Sequence, residues 1–468
     1  MWEERFDTTR FVPGHGDPGA SPATLQRMRI AVIGCGYLGA VHAACMAEIG
    51  HDVVGLDVDE DRVSRLARGE APFHEPGFPE ILARGIAAGR LGFTTDPGRL
   101  ADADLVFIGV STPQLPGRLG ADLSQVDAAV ETVVEHVNPR PGSSVLVAGK
   151  STVPVGTAQR LAERLKASGK NFLLAWNPEF LREGHAVADT LHPDRIVYGL
   201  PADPTRAELG RARLDEAYAR LLADGIPQIV ADYATAELVK VAANSFLATK
   251  ISFINAMAEL CEATGGDVTA LADALGHDDR IGRRFLGAGV GFGGGCLPKD
   301  IRAFVARAQE LGVHDAVSFL REVDAINQRR RDRVVDLALR SLGDQLPGAR
   351  ITVLGAAFKP NSDDIRDSPA LDIAHRLYLL GAQVSITDPK ALDAAVRRHP
   401  DLVAEPDTQK ALQDADLVLL LTEWDEYVQL DPARVANLVR RPVIIDGRNA
   451  LNPARWRASG WTYHGLGR

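Results

Sequence analysis

The 468-residue chain has few cysteines and no long apolar run, and each absence narrows what the protein can be. Its four cysteines (Cys35, Cys45, Cys261 and Cys296) lack metal-ligand spacing, so we expect no metal site and a reducing compartment. No apolar run reaches the roughly 18 residues that span a bilayer, and the N-terminus lacks the basic and apolar regions of a secretion signal. These absences predict a cytoplasmic protein with no membrane partner.

Positive charge is also scarce, since 52 lysines and arginines stand against 62 aspartates and glutamates, a net charge of −10. This balance argues against nucleic acid as a partner, and an anionic small molecule would need cationic residues concentrated locally. The rest of the composition, 46% hydrophobic and 24% charged, is that of a soluble globular protein. The length predicts two or three domains.

The most informative segment is the stretch from Gly291 to Asp300, which reads Gly-Phe-Gly-Gly-Gly-Cys-Leu-Pro-Lys-Asp. Four glycines in five positions give a loop that a ligand can approach closely. Cys296 then precedes an apolar periodic run with Pro298 in its first turn, which predicts a helix. A cysteine at a helix N-terminus faces unpaired N–H groups and the positive end of the dipole, so we expect a thiolate nucleophile. The alternative is a small buried cysteine beside a structural turn.

A dinucleotide-binding pattern opens the ordered part of the sequence. A predicted strand at residues 29–33 is followed by Gly34-Cys35-Gly36-Tyr37-Leu38-Gly39, a helical run to Ile49, and a second strand at residues 52–56. Asp57 ends that strand, eighteen residues after Gly39. The glycines let a pyrophosphate meet the helix N-terminus, and Asp57 can accept hydrogen bonds from the adenosine ribose. Because an acid there would repel a 2′-phosphate, the pattern predicts NAD rather than NADP.

Further predicted strands place small hydroxyl residues at the same sheet edge. Residues 104–110 run into Ser111-Thr112-Pro113, and residues 144–148 run into Lys150-Ser151-Thr152-Val153-Pro154. Open α/β sheets bind ligands at the carboxyl ends of their strands, although these residues could equally be turn or cap residues.

The pattern of the first half then recurs in the second half. Residues 350–355 repeat residues 29–34, residues 415–420 repeat residues 103–108, and residues 383–387 end in Asp388 as the earlier strand ends in Asp57. The second unit lacks the glycine fingerprint, since Gly355 is followed by Ala356-Ala357-Phe358. Its sheet is therefore expected to bind something other than the dinucleotide pyrophosphate.

The section between the two units is helical. Residues 231–264 form one long, mostly apolar run that ends at Gly265-Gly266, and we expect that helix to be largely buried. Lys240 and Asn244 share one face of it. A buried lysine requires an ion-pair partner or a functional role to offset the cost of burial. The alternative is a lysine whose ammonium group reaches solvent. Residues 315–341 predict a second long helix that connects the two sheets.

Together these features predict an α/β fold with two Rossmann-like, doubly wound parallel-sheet domains, joined by a helical middle domain and a long connecting helix. The expected boundaries are a flexible tail at 1–27, a NAD-binding domain at 28–210, a middle domain at 211–330 and a second Rossmann-like domain at 331–468.

The motifs, taken in order, resemble those of the nucleotide-sugar 6-dehydrogenases, the UDP-glucose/GDP-mannose dehydrogenase family. The matching segments are Gly34–Gly39, Lys150–Pro154, Asn177–Gly184, Lys240–Asn244, Gly291–Asp300, Phe358-Lys359 and Asp446-Gly447-Arg448. The resemblance covers nearly everything from residue 28 to 450. It implies that the third domain binds the UDP-sugar and that the middle domain mediates dimerisation.

The resemblance implies a four-electron oxidation of a sugar C6 alcohol to a carboxylate with two NAD+. Cys296 would trap the aldehyde as a thiohemiacetal and then carry the thioester. Lys240 and Asn244 would stabilise the oxyanion, and Asp300 would orient water and pair with Lys240. Glu179 would act as base with Thr152 as relay or water anchor, although Glu179 and Asp300 could exchange roles. The segment His192-Pro193-Asp194-Arg195 favours UDP-glucose, with GDP-mannose or a UDP-N-acetylhexosamine as alternatives.

The resemblance also implies which residues contact the ligands. Cofactor contacts are expected at Gly34, Gly36, Tyr37, Leu38, Gly39, Asp57, Arg62, Ser111, Thr112, Pro113, Thr152, Glu183 and Arg366. Substrate contacts are expected at Glu179, Phe180, Leu181, Arg182, Glu183, Lys240, Asn244, Arg280, Gly287, Gly291, Cys296, Phe358, Lys359 and Arg448.

Two details of this set bear on the assembly and on the substrate contacts. An arginine at the Arg280 position reaches the neighbouring subunit's site in the family, which implies a homodimer or higher homo-oligomer. Gly287 stands where some relatives carry a lysine, so one charge contact is missing there.

Two other classes of protein are compatible with parts of the pattern. A two-electron dehydrogenase of the hydroxyacyl-CoA or 6-phosphogluconate type would need neither Cys296 nor a second sheet domain. A catalytically silent NAD-binding scaffold would have no reason to hold Lys240, Asn244, Cys296 and Asp300. Counting the NADH formed per sugar separates the three classes, which predict two, one or none.

Overall fold

The computed structural model describes residues 27–468, so the predicted tail lies outside the described residues except for Arg27. The first sheet contains β1 (Arg29–Ile33), β2 (Asp52–Leu56), β3 (Leu91–Thr94), β4 (Leu105–Ile108), β5 (Val145–Gly149), β6 (Phe172–Trp176), β7 (Ile196–Leu200) and β8 (Gln228–Asp232). Its helices are α1 (Tyr37–Glu48), α2 (Glu60–Ala67), α3 (Phe78–Ala87), α4 (Ser124–His136), α5 (Thr157–Ala167), α6 (Ala186–Leu191), α7 (Pro204–Ala217) and α8 (Ala219–Ala223).

The first sheet has the strand order β3-β2-β1-β4-β5-β6-β7-β8. The chain builds the sheet outward from β1 to one side and then, from β4 onward, to the other side. Neighbouring strands pair in parallel except β6 and β7, which are antiparallel. The central strands are apolar throughout because helices cover both faces. In β1, Ile30 and Val32 enter one core, whereas Ala31 and Ile33 enter the other. The strand ends after β4 and β5 therefore meet beside the glycine turn after β1.

The middle section consists of α9 (Tyr233–Thr264), α10 (Val268–Gly276), α11 (Leu297–Glu310) and α12 (Phe319–Leu342). The predicted start of the long helix at residue 231 falls in β8, and Asp232 instead caps α9 by accepting a hydrogen bond from the Thr235 N–H at 2.7 Å. Its predicted end is confirmed, because Gly265 adopts φ 79° there.

The expectation that α9 is largely buried is wrong for one face. Phe246, Phe253 and Leu260, spaced seven residues apart, are 67%, 48% and 56% exposed. The opposite face, which carries Lys240 and Asn244, is buried. The apolar residues of α9 therefore form an exposed face as well as part of the core.

The second sheet contains β9 (Arg350–Leu354), β10 (Gln383–Thr387), β11 (Val403–Ala404), β12 (Leu417–Leu420), β13 (Val443–Asp446) and β14 (Thr462–Gly465). Its helices are α13 (Pro369–Leu379), α14 (Leu392–Arg398), α15 (Thr408–Leu412), α16 (Asp425–Val428), α17 (Pro432–Ala436) and α18 (Pro453–Ala458). The strands are parallel, in the order β11-β10-β9-β12-β13-β14. This order repeats the first six strands of the first sheet, so the predicted fold class of two parallel-sheet α/β domains around a helical middle is confirmed.

The first sheet continues further along the chain than the expected domain boundary at residue 210, which lies inside α7. Strand β8 joins that sheet, and α9 begins directly after it. Across residues 27–468, no helix combines the length and the apolar character that crossing a bilayer requires.

Candidate active site

The turn after β1 is shaped to receive a dinucleotide. Gly34 has φ 90°, and a β-carbon on Gly39 would lie 1.7 Å from the Gly34 carbonyl oxygen, so both positions require glycine. No atom lies within 4 Å of the position that a β-carbon on Gly36 would take. Helix α1 begins at Tyr37 without a side-chain cap, so its first N–H groups point to this open side. The turn therefore fits a pyrophosphate at the helix N-terminus.

The predicted ribose-binding acid, Asp57, follows β2 and accepts hydrogen bonds from three residues, one of which is the Asp59 N–H at 3.0 Å. One carboxylate oxygen of Asp57 accepts a hydrogen bond from the Cys35 N–H at 2.7 Å, and both oxygens lie 3.1 Å from Arg62 Nη1. Asp57 thus fixes the glycine turn through the Cys35 N–H, and the Arg62 side chain lies beside it. The Asp57 carboxylate therefore forms an ion pair with Arg62.

The hydroxyl residues after β4 and β5 also come together. The Thr112 hydroxyl donates to the Thr152 carbonyl at 2.8 Å, which joins the two strand ends. Both threonines line a small pocket whose lining also includes Lys299 and Asp300 from α11. The edge of the first sheet and the helix after the glycine loop therefore face the same space.

Four polar side chains surround the thiol in two pairs. Lys240 Nζ lies 3.0 Å from Glu179 Oε1, and the Asn244 amide donates to Asp300 Oδ2 at 2.7 Å. Lys299 Nζ lies 2.5 Å from Asp300 Oδ1, so the ion pair of Asp300 is with Lys299, whereas the sequence suggested Lys240. Because α9 and α11 pack together, these side chains from distant segments converge.

The charge on Lys240 is maintained although the side chain is buried. Burial alone would lower its pKa, but the nearby carboxylates of Glu179 and Asp300 outweigh it and raise the pKa. Lys240 is therefore a permanent cation that can stabilise negative charge on a bound oxygen atom.

Cys296 precedes α11, as predicted, but its thiol is not a ready thiolate. The side chain reaches solvent in the cleft, while protein atoms enclose it on its other sides. Burial raises the pKa of Cys296 to about 12, and the charge of Asp300 adds to this, whereas Lys240 opposes it. The expected dipole effect is therefore outweighed. The thiol is protonated at neutral pH, and its proton must leave as the sulfur reacts.

The first domain supplies a carboxylate, Glu183, that titrates near neutral pH and faces charged residues of the third domain. Burial and the charge of Asp364 raise the pKa of Glu183 to about 7, and Arg366 and Lys359 oppose the rise. Arg366 Nη2 lies 3.1 Å from Glu183 Oε1, and its guanidinium carbon would be 2.2 Å from a β-carbon on Gly295. A larger residue before the thiol would require the flexible end of the Arg366 side chain to move. The sequence had assigned Glu183 only to ligand binding.

The glycine loop is held by side-chain amides that the sequence did not single out. The Asn327 amide accepts from the Phe292 N–H at 2.7 Å and donates to the Phe292 carbonyl at 2.9 Å. Asn255 accepts from the Gly289 N–H at 2.9 Å. These asparagines lie on α12 and α9 and replace the hydrogen bonds that a neighbouring strand would make. An asparagine within an apolar helical run is the signal that could have identified Asn255, whereas Asn327 precedes a charged run and carries no such signal.

Phe358 and Arg448 bring the third domain onto this loop. A β-carbon on Gly294 would be 2.8 Å from the Phe358 ring. The Arg448 guanidinium donates to the carbonyls of Leu421, Gly291 and Phe358, at 2.7, 3.2 and 2.9 Å. Arg448 therefore ties the loop to the second sheet, and its substrate contact stays a prediction.

Some predicted contact residues lie away from this cluster. The Arg280 side chain is 90% exposed and pairs with Asp278, its near neighbour in sequence. Arg182 is exposed and pairs with Asp189. Gly287 has no atom within 4 Å of where a β-carbon would be.

A turn that fits a dinucleotide, and a cysteine close to a buried lysine and two carboxylates, place the molecule among the NAD-dependent oxidoreductases. Comparison with known proteins narrows this class. The chain belongs to the UDP-glucose/GDP-mannose dehydrogenase family, whose NAD binding domain matches residues 28–222, central domain residues 234–329 and UDP binding domain residues 352–453. The predicted family, enzyme class and cofactor are thereby confirmed.

Similar proteins cover nearly the whole chain. UDP-glucose 6-dehydrogenase TuaD of Bacillus subtilis (strain 168) is 41% identical over 446 residues, which are 94% of this chain and 93% of that protein. UDP-glucose 6-dehydrogenase of Rhizobium meliloti (strain 1021) is 39% identical over 94% of this chain and 100% of that protein. Among solved structures, a UDP-glucose dehydrogenase from the archaeon Pyrobaculum islandicum is 37% identical, with a TM-score of 0.85 over 96% of this chain and 100% of that one.

Proposed function

We propose that this protein oxidises UDP-glucose to UDP-glucuronate, consuming one water and two NAD+ per sugar. The observation that carries the proposal is the position of Cys296 among Lys240, Asn244, Glu179 and Asp300. The choice of UDP-glucose rests on the relatives. Two relatives named UDP-glucose 6-dehydrogenase are 41% and 39% identical, whereas a UDP-D-ManNAc dehydrogenase structure from Pyrococcus horikoshii is 27% identical.

The first oxidation needs a base and a stabilised oxygen. NAD+ is the hydride acceptor in both oxidations. As the C6 hydride leaves, the C6 hydroxyl proton passes toward Glu179, directly or through a water held by Thr152. Lys240 stabilises the negative charge that develops on the oxygen as that proton leaves.

The aldehyde is then captured by the thiol. A bond forms between Cys296 Sγ and C6, and the thiol proton moves to a neighbouring carboxylate, which the high pKa of the thiol makes necessary. Lys240 and Asn244 hold the former carbonyl oxygen. Loss of the second hydride converts the thiohemiacetal into a thioester.

Hydrolysis completes the reaction and restores the thiol. Water attacks the thioester carbon, its proton goes to Asp300 or Glu179, and the C–S bond breaks to release the carboxylate product. Asp300 is placed for this role because Asn244 and Lys299 hold both of its oxygens. The covalent route keeps the aldehyde in the site between the two oxidations.

We also propose that the working unit is a homodimer formed through the exposed face of α9. Three large apolar side chains on that face, Phe246, Phe253 and Leu260, are exposed in the single chain. Arg280 is extended away from its own site, which is compatible with the expected contact to a neighbouring subunit. The proposed compartment is the cytoplasm, on the cysteine content given above.

Replacement of the thiol tests the mechanism. Cys296→Ala should retain binding of NADH and of UDP-glucose, while formation of UDP-glucuronate falls by about 10³-fold or more, the scale of losing a covalent nucleophile. Cys296→Ser should turn over slowly and accumulate an acyl-enzyme, detectable by intact mass as a gain of the UDP-sugar acyl group. Near-normal acid production by Cys296→Ala would rule out the thioester and favour a hydrated aldehyde as the second hydride donor.

The wild-type enzyme tests the substrate and the stoichiometry. Two NADH should form per UDP-glucose, and UDP-glucose should be oxidised faster than GDP-mannose or UDP-N-acetylglucosamine. A faster rate with GDP-mannose would change the substrate and leave the mechanism intact. One NADH per sugar would indicate a two-electron dehydrogenase.

A further inference from the structure

A second lysine is buried close to the catalytic pair, and the reaction as described leaves it without a role. Lys150 follows β5 directly and is 7% exposed. Its ammonium donates to Asn177 Oδ1 at 2.9 Å, to the Asn177 carbonyl at 3.4 Å and to the Tyr218 hydroxyl at 3.2 Å. These partners are all neutral groups.

Burial of an ammonium without a contacting carboxylate is costly, so its presence calls for a function. The rings of Phe107 and Tyr218, with centroids 5.4 and 5.8 Å from Nζ, offset part of that cost. Burial still lowers the pKa of Lys150 to about 8, which leaves it mostly charged at neutral pH. An uncharged side chain could fill the same space without this cost.

The hydrogen bonds of Lys150 lead directly to the catalytic base. Asn177 lies two residues before Glu179 and is held on all sides, because its amide also donates to the Val197 carbonyl at 2.9 Å and accepts from Tyr218 at 2.7 Å. Lys150 thus anchors the turn from which Glu179 reaches Lys240.

The charges that face Lys150 come from several elements. Glu179 raises its pKa and Lys240 lowers it, so the three groups interact electrostatically. His42 on α1 is kept neutral by burial and by Lys150, and Tyr218 stays protonated because burial and Tyr198 raise its pKa. Glu179 is therefore the one carboxylate among these neighbours on which the positive charge of Lys150 acts.

We infer that Lys150 is a positioning residue for the proton transfers of the reaction. It fixes the Asn177–Glu179 turn through Asn177 and places a buried positive charge close to Glu179. The inference rests on the proposed function in one respect, since it requires that Glu179 takes part in turnover.

The test is the pH dependence of kcat for the full-length enzyme with UDP-glucose and NAD+. Lys150→Gln keeps a hydrogen-bond donor toward Asn177 and removes the charge, whereas Lys150→Arg keeps the charge. In Lys150→Gln the acidic limb of the profile should move to higher pH by about one unit, the effect of losing a nearby buried charge. kcat at neutral pH should fall roughly 10-fold or more, with KM values changed much less.

Tyr218→Phe is the matched control, because it removes a hydrogen bond to Asn177 and leaves the charge of Lys150. Its acidic limb, and that of Lys150→Arg, should stay at the wild-type pH even if kcat falls. An unshifted limb in Lys150→Gln, or an equal shift in Tyr218→Phe, would overturn the inference by reducing Lys150 to a structural residue. If Lys150→Gln does not fold, the Arg and Phe variants still decide, because a shift in either contradicts a charge effect of Lys150.

This outcome is separable from failure of the proposed function. The profiles can be measured with any nucleotide sugar that the wild-type enzyme oxidises. A wrong substrate appears in the wild-type rates, whereas a wrong role for Lys150 appears only in the comparison of the variants.

Discussion

Individual side chains in the cleft have acid–base properties that their sequence neighbours do not suggest. Cys296 has a pKa of about 12 and Glu183 of about 7, while Lys240 has a raised pKa although it is buried. The cause in each case is the balance between burial and nearby charge. The Cys296 thiol is therefore protonated at neutral pH, and the proposed mechanism requires a neighbouring carboxylate to take its proton.

The choice of cofactor is decided at Asp57 and Arg62. In Asp57→Ala, the ribose contact is lost, and Arg62, which keeps only Asp59 as its carboxylate partner, can turn toward a 2′-phosphate. The ratio of kcat/KM for NAD+ over that for NADP+ should fall roughly 10- to 100-fold, the range of one charge-assisted contact. Initial rates with both cofactors provide the measurement.

The double variant Asp57→Ala with Arg62→Ala separates the two contributions. It should lose affinity for NAD+ and gain little for NADP+. Equal wild-type rates with both cofactors would show that Asp57 does not discriminate between them.

At the scale of elements, the segment 288–296 is an extended loop whose conformation is imposed by its surroundings. The Asn327 oxygen would lie 2.2 Å from a β-carbon on Gly291, which has φ 90°, so helix and loop fit only with glycine there. The Gly447 carbonyl accepts the Val290 N–H at 2.8 Å from the other side. Middle and third domains thus hold the residues that lead to Cys296.

Asn327→Ala should loosen this loop. The change leaves the Phe292 N–H and carbonyl buried without partners, at a cost of about 2 kcal/mol or more. We expect the unfolding midpoint to fall by roughly 4 °C or more, measured by calorimetry, and kcat to fall more than the affinity for NADH.

Gln328→Ala changes the next residue of α12, which is outside the loop's hydrogen-bond partners in the described part of the chain. It should leave the midpoint nearly unchanged. If the two variants have the same midpoint, the amide does not hold the loop.

At the scale of the whole molecule, α9 serves both the site and the surface. Its 32 residues, about 48 Å of helix, carry Lys240 and Asn244 on the buried face and three large apolar side chains on the exposed face. If a second copy covered the exposed face, each subunit's α9 would lie between the dimer interface and its own active site. Subunit contact would then stabilise the helix that positions the catalytic lysine.

The dimer proposal predicts a change of mass in solution. Phe246→Glu combined with Phe253→Glu places charges in the proposed interface and should yield a monomer by light scattering at micromolar concentration. Leu379→Glu is the control, because Leu379 is 68% exposed on α13, away from that face, and its variant should keep the wild-type mass. A monomeric wild-type protein, or a double variant that remains dimeric, would contradict the proposed interface.

The sequence by itself determined the parts of this protein that depend on local pattern. The strands around Gly34, the helix that begins after Cys296, and the repeated strands at residues 350–354 and 383–387 lie where their apolar periodicity predicted them. Such patterns are read along the chain because period and capping are properties of neighbouring residues. Even there, β8 was missed because its five residues precede a much longer helical signal.

Only the tertiary structure decided the properties that depend on neighbours in space. Lys240 pairs with Glu179, 61 residues away, and Asp300 pairs with the adjacent Lys299, although the family resemblance implied that Asp300 pairs with Lys240. The thiol of Cys296 is protonated because burial and Asp300 outweigh the helix terminus. Burial, charge and packing sum over all nearby atoms, and most of those atoms belong to segments that are distant in sequence.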